Sequence, residues 1–208
     1  MIRDDLKKYI ETFIFPENEK NDSGHNMGHI HYVIRRSLEF AEQVENINFD
    51  MVYTIAAYHD IAHHIDAKNH EIESGKFLYD DPHLREYFLE SDILIMKEAI
   101  EDHRASLEGK PRSIYGKIIS SADRNTDIVT PIKRTYSYRL QHGTENNLDE
   151  IIENSRLHLI QKYCQTGYAT EKMYFEDPSY QKFLEDIDIL CKDKELFYKM
   201  YIEINELK

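Results

Sequence analysis

The chain predicts an all-α fold, and three observations carry that expectation. Apolar residues recur at the three- and four-residue spacing of an amphipathic helix along almost the whole sequence. No segment alternates apolar and polar residues over strand length. Glycine totals only 7 and no Gly/Ser linker interrupts the pattern. A single-domain helical bundle spanning residues 1–208 is therefore expected. A hydrophobic fraction of 41% over 208 residues is enough to bury a substantial core and argues against disorder.

The elements follow in order. Ile2, Leu6, Tyr9, Ile10 and Phe13 mark a first helix, expected to stop near Phe15-Pro16 because proline lacks an amide donor and restricts its predecessor. Asn18 to Gly24 reads as polar loop. Ile30, Val33, Ile34, Leu38, Ala41 and Val44 mark a second helix. A third runs from Phe49 to about His63, with Val52, Ile55, Ala56 and His59 on one stripe. Ile72 to Tyr79 is helical and halts before Asp80-Asp81-Pro82. Another helix covers about Asp92 to Arg104, with Ile93, Met96, Ile100 and His103 on one face. Beyond the Gly109-Lys110-Pro111 turn, a helix from about Ser113 to Val129 carries Ile114, Ile118, Ile119, Ala122 and Asp123, and Pro131 ends or kinks it. The C-terminal part, about 146–208, completes the fold with helices over about Leu148 to Cys164 and Ser179 to the end, separated by Gly167 and Asp177-Pro178.

Charge narrows the function. Lys and Arg total 26 against 39 Asp and Glu, a formal net charge of −13. A field of that sign repels polyanions, so coating of polymeric nucleic acid is disfavoured. A small phosphorylated substrate stays compatible, because bound cations reverse the local potential in an acidic pocket. The acidic balance suits a monomer or a small oligomer such as a homodimer. Cys164 and Cys191 fit neither a Cys-x-x-Cys nor a zinc-finger spacing and read as reduced, packed thiols. No run approaches the ~20 apolar residues that span a bilayer, and the N-terminus lacks a signal-peptide core. A cytoplasmic, non-membrane protein is expected.

Four separate helices each deliver a ligand-type side chain at or beside the buried stripe. His59 shares its stripe with Val52, Ile55 and Ala56, and Asp60 follows it directly. His103 ends the stripe Ile93-Met96-Ile100. Asp123 follows Ile119 by one turn, and His29 stands one turn before Val33 and one turn after His25. Any one of these alone is more simply a satisfied core residue. Together they are costly to bury without partners, and a shared cation offsets that cost for all of them. A metal-free network of His–Asp hydrogen bonds is the structural alternative. Imidazole nitrogen and carboxylate oxygen suit manganese, iron, nickel, cobalt, zinc or magnesium.

Gly28-His29-Ile-His-Tyr-Val33, Tyr58-His59-Asp60-Ile61-Ala62 and Ser121-Ala-Asp123-Arg124-Asn125, in that order, resemble the HD-domain metal-dependent phosphohydrolases of short bacterial type. The resemblance covers about residues 22–130. It implies an all-helical fold, a divalent cofactor held by His29, His59, Asp60 and Asp123, and hydrolysis of a phosphoester or phosphoanhydride of a small molecule, a nucleotide, by a metal-activated water. His70 and His103 are placed like the extra histidines of the dinuclear branch, so they either hold a second ion or contact phosphate. Asp60, His63, His70 and His103 are the candidate catalytic residues, and Arg104, Lys110 and Arg124 the candidate substrate contacts. His64 reads as a solvated neighbour, and Asp127 as a partner of a ligand histidine or a local cap. Two departures stand out: Ala62 replaces the glycine common after His-Asp-Ile, and Tyr32 stands where many short members have arginine. A metal-containing nucleotide sensor without catalysis and a di-iron oxygenase are the alternative functions, in that order.

Overall fold

The start of the chain shows how a proline is absorbed into a helix. In the computed structural model, which describes residues 2–22 and 24–207, Met1, Ser23 and Lys208 of the expected N-terminal stretch, polar loop and last helix lie outside the described residues. Helix α1 (Asp4–Tyr9) passes through a π-helical segment (Ile10–Ile14) directly into α2 (Phe15–Asn18). The expected stop at Phe15-Pro16 is therefore not there. Pro16 falls in the first turn of α2, where a missing amide donor costs little.

The chain divides into two compact units, Met1–Asp123 and Arg124–Lys208. In the first, α3 (Met27–Ala41), α4 (Phe49–Tyr58), α5 (His70–Asp80), α6 (Glu90–Glu101) and α7 (Ile114–Ala122) follow the N-terminal helix. Helix α3 packs on α4 and α7, α5 packs on α6, and α4 also packs on α6 and α7. A 3-10 turn over Pro82–Glu86 joins α5 to α6. Ile30, Val33, Ala56, Tyr58, Leu78, Ile93, Met96 and Ile100 fill the core. Gly75 lets α5 approach α6 closely, since a Cβ there would lie 3.2 Å from the Lys97 carbonyl oxygen.

The third expected helix ends five residues early, at Tyr58 rather than His63. The chain goes on in three-residue turns, with the Ile61 amide donating to the Tyr58 oxygen and the His63 amide to that of Asp60, and side chains brace carbonyls of the same stretch. Asn18 Nδ2 donates to the Ala57 oxygen at 3.0 Å, and Asn21 Nδ2 donates to the Asp60 oxygen at 2.9 Å. The following turn is pinned by the Ala62 amide, which donates to Ser74 Oγ at 3.1 Å. His59 and Asp60 thus leave the helix on a tight, buried turn.

In the second unit, α8 (Val129–His142), α9 (Leu148–Tyr163), α10 (Pro178–Lys192) and α11 (Lys194–Ile204) pack around Ile132, Leu159, Phe183, Ile187, Phe197 and Tyr201. Two expectations need correction. The helix expected over Ser113–Val129 stops at Ala122, and α8 starts a new helix with Pro131 in its first turn. Asp127 starts it by accepting from Thr130 N at 2.7 Å and Thr130 Oγ1 at 2.9 Å. The last expected helix is two, because Asp193 leaves helical geometry and its carboxylate accepts from Leu196 N at 3.0 Å. Cys164 and Cys191 are buried free thiols, and burial pushes the Cys191 thiol up. Among the described residues there is no strand, and no helix is long and apolar enough to cross a membrane.

Candidate metal centre

Helix ends, rather than helix middles, supply the polar side chains that meet inside the first unit. His29 lies in the first turn of α3, where the Asn26 side chain accepts from its amide at 3.2 Å. His59 and Asp60 follow the last turn of α4, His70 opens α5, and His103 comes just after α6. Asp123 closes α7. At such positions the chain turns away, so a side chain can point along the helix axis into a shared space. The loop after α6 is fastened by Asp102, whose carboxylate accepts from the Arg112 amide at 2.7 Å and from Arg112 Nε at 3.0 Å.

Asp60 is the hub. Its Oδ2 lies 3.4 Å from His29 Nε2 and 3.3 Å from His59 Nε2. Its Oδ1 lies 3.3 Å from His70 Nε2 and 3.6 Å from His103 Nε2. Asp123 Oδ1 closes the first side at 3.2 Å from His29 Nε2. His29, His59 and Asp123 form one group able to hold a metal ion, and Asp60, His70 and His103 a second. His59 and His103 are fully enclosed, whereas the side chains of His29 and Asp123 keep 11% and 18% exposure and define the open side.

The donor set passes a direct test for a cation. His59 Nδ1 lies 2.8 Å from the Ala56 oxygen, His70 Nδ1 3.1 Å from that of Ala67, and His103 Nδ1 2.6 Å from that of Ile100. A carbonyl only accepts, so each Nδ1 carries a proton and Nε2 is the nitrogen that each ring turns toward the Asp60 carboxylate. Yet His70 Nε2 and His103 Nε2 are 3.2 Å apart, and Asp60 Oδ1 between them is buried with no hydrogen-bond partner. These three donor atoms converge within reach of one another, and a cation among them would be coordinated by all three. Backbone carbonyls behind ligating imidazoles are also the usual way a metal site fixes ring orientation.

Charge balance agrees. Burial pushes His103 down to about 3, with the Asp60 carboxylate opposing and the neighbouring imidazoles assisting, so it is neutral at physiological pH. Burial would likewise lower His29, but hydrogen bonding to Asp123 and Asp60 outweighs it and raises the group to about 9. Burial alone would raise Asp60; the imidazoles around it, His59 first, hold it well below the usual carboxylate range.

The remaining sequence candidates lie at varying remove. His63 stacks on His25 at 3.6 Å between ring centroids and stands 5.0 Å from the His70 ring. Burial and the neighbouring His25 push His63 down to about 4. Arg104 Nη1 donates to the Lys68 oxygen at 2.6 Å and pairs with Glu71 Oε2 at 3.1 Å, and that same carboxylate lies 3.9 Å from His70 Nδ1. Lys110 is exposed on the turn that Gly109 makes at φ +82°. Arg124 is buried and opens the second unit. His64 donates its amide to Asn21 Oδ1 at 2.9 Å. Asp127 caps α8. Sequence reasoning passed over Asp22, whose Oδ1 lies 2.9 Å from His25 Nδ1, and Asn21, which holds the Asp60 carbonyl. The three-residue spacing of Asp22 and His25 was the available signal for the first of these.

Residues 26–126 match the HD domain as a protein family. The fold is shared with the crystal structure of a predicted HD superfamily hydrolase from an uncultured Thermotogales bacterium, at TM-score 0.52 and 18% sequence identity, covering 96% of this chain and 88% of that one. No curated protein sequence matches the chain.

Proposed function

The chain belongs to the HD-domain family through residues 26–126, and from that premise we propose that it is a metal-dependent phosphohydrolase. Its substrate is a small molecule carrying a phosphoester or phosphoanhydride, a nucleotide. One observation carries the reading: a single buried carboxylate, Asp60, is shared by four Nε2 atoms at 3.3–3.6 Å. His29, His59, Asp60 and Asp123 would hold one divalent ion, and Asp60, His70 and His103 a second.

Divalent ions at such a site acidify water and neutralise charge on phosphoryl oxygens. The chain's own residues do the rest. Asp60 and Asp123 supply the negative charge that draws cations into the pocket. Carbonyls of Ala56, Ala67 and Ile100 keep three imidazoles in the tautomer that presents Nε2. The partly exposed His29 and Asp123 mark the side from which substrate would approach, while His59 and His103 are enclosed. His63, lowered to about 4 by burial and its neighbour His25, stands 5.0 Å from the His70 ring. Arg104 reaches the centre through Glu71, which makes it a positioning group before a substrate contact.

The test is release of phosphate or pyrophosphate from nucleoside mono-, di- and triphosphates and cyclic dinucleotides, each with manganese, iron, cobalt, nickel, zinc and magnesium. Turnover is expected with at least one pair. Protein that demonstrably holds metal and cleaves none of them would overturn the assignment, and calorimetric nucleotide binding without product would then identify a sensor.

A further inference from the structure

A cavity of about 480 Å3 lies between the N-terminal helical stretch, the turn after His59-Asp60 and α5, and none of its lining residues belongs to the two metal groups of the Asp60 centre. That volume falls within the range of small-molecule sites. The buried Ala62 is its floor, and Tyr9, Phe13, Ile65 and Phe77 are its apolar walls. Phe13 and Ile65 stay 61% and 63% exposed, so apolar surface stands open beside it. Phe13 belongs to the π-helical segment, an irregularity that recurs at functional sites.

The walls are tied together by hydrogen bonds. The Ala62 amide donates to Ser74 Oγ at 3.1 Å, joining the floor to α5. Tyr9 Oη and Tyr58 Oη donate to Asp81 Oδ2 at 2.7 and 2.6 Å, joining α1 and α4 to the end of α5.

Charge selects the occupant. Glu17, Glu73, Asp80 and Asp81 line the cavity against one cation, Lys76. Glu17 is neutralised by Lys20 at 2.6 Å, and Asp81 is held by the two tyrosine hydroxyls. Glu73 and Asp80 make no ion pair among the described residues. Asp80 ends α5, whose last turn carries no basic residue, so the negative end of the helix dipole adds to its charge. The Tyr9 and Phe13 rings, 5.4 Å apart, offer faces that attract the same sign of charge.

We propose that this cavity binds a small organic cation, an amine or quaternary ammonium carried on an aromatic or aliphatic body. The positive head pairs with Asp80 and Glu73, and the body lies against Phe13, Ile65 and Phe77. The site does not depend on the phosphohydrolase reading.

Phenethylamine, its neutral counterpart phenethyl alcohol and the anion hydrocinnamate, each titrated into the full Zn2+-loaded chain and followed by amide NMR shifts, test it. The amine is expected to bind with a Kd of about 1 mM and to move the amides of Phe13, Ile65 and Phe77. It should bind about 5- to 10-fold tighter than the alcohol, with the anion weakest. Glu73→Gln combined with Asp80→Asn should erase that preference and leave the alcohol's affinity unchanged. Phe13→Ala, at an exposed position, should weaken the amine and the alcohol alike. Should the double variant fail to fold, Asp80→Asn alone, at an exposed helix end, carries the comparison. No amine binding, equal affinity for amine and anion, shifts confined to other residues, or an unaltered preference in the charge variants would each overturn the proposal. So would a concentration-dependent dimer that Phe13→Ala dissolves while the amine moves no shifts, since a second copy of the chain would then be the occupant.

Discussion

Asp60→Asn replaces one oxygen by nitrogen and leaves the turn's shape intact, yet it reaches both metal groups at once. Oδ2 serves His29 and His59, and Oδ1 serves His70 and His103, each within 3.3–3.6 Å. The variant should therefore weaken both groups, whereas Asp123→Asn should weaken only the His29/His59 group. The size of the effect follows from linkage. Metal at 100 times its dissociation constant stabilises the folded state by about 2.7 kcal/mol. Changes merely behind a ligand weaken metal binding about 10- to 100-fold, so loss of a shared ligand should weaken it by at least about 100-fold. At the same metal concentration the stabilisation then drops to about 0.4 kcal/mol. At about 2–4 °C per kcal/mol for a chain of this size, a metal-induced rise in Tm of about 5–11 °C shrinks to about 1–2 °C. Thermal unfolding with Mn2+ and with EDTA, paired with elemental analysis, reads this directly. A variant that keeps the full Tm rise and full metal content would show that Asp60 is no ligand.

Three further outcomes follow. In metal-free protein His29 is raised to about 9 from the usual 6.5, so the stability it contributes is complete below pH 6.5 and is lost as pH rises through 9. The shift corresponds to about 3 kcal/mol at 1.36 kcal/mol per unit, and urea unfolding in EDTA at pH 6 and pH 9.5 should differ by that amount in His29-containing protein and by much less in His29→Ala. Asn18→Ala removes a buried donor from the Ala57 and Ile14 carbonyls, at a cost of about 1–3 kcal/mol in denaturant titrations; no loss would mean that water replaces it. Arg104→Ala should leave metal content unchanged, because Arg104 pairs with Glu71 rather than with a ligand oxygen, while lowering kcat/KM; metal loss measured by elemental analysis would contradict that.

Much of this architecture was legible because burial leaves a periodic trace. Val52, Ile55 and Ala56 share one stripe and predict α4. Ile93, Met96 and Ile100 do the same for α6. The His29, His59-Asp60, Asp123 set was legible by resemblance and by its placement beside such stripes. What periodicity could not show is where a stripe stops. Helix α4 ends at Tyr58, and the turn that follows is braced by Asn18 and Asn21, some forty positions earlier, which donate to the Ala57 and Asp60 carbonyls. Nothing local to Tyr58-His59 encodes that. Helix α8 was missed because it buries only Pro131 and Ile132 and exposes Tyr138 and Leu140, leaving no apolar face to detect. Pro16 and Pro131 were read as terminators, although each sits in a helix's first turn. The Nδ1 contacts that fix three imidazoles run to carbonyls three residues back. Such bonds depend on backbone conformation at a helix end, which side-chain identity does not specify.

X-ray absorption at the metal edge of Zn2+- or Mn2+-loaded protein asks most directly whether the four histidines and two aspartates share cations. A first shell of nitrogen and oxygen at about 2.0–2.2 Å, with the outer-shell scattering of imidazole rings and no sulfur, is the expected spectrum. An all-oxygen shell without imidazole scattering would place the ion on surface carboxylates and leave the Asp60 cluster a metal-free hydrogen-bond network.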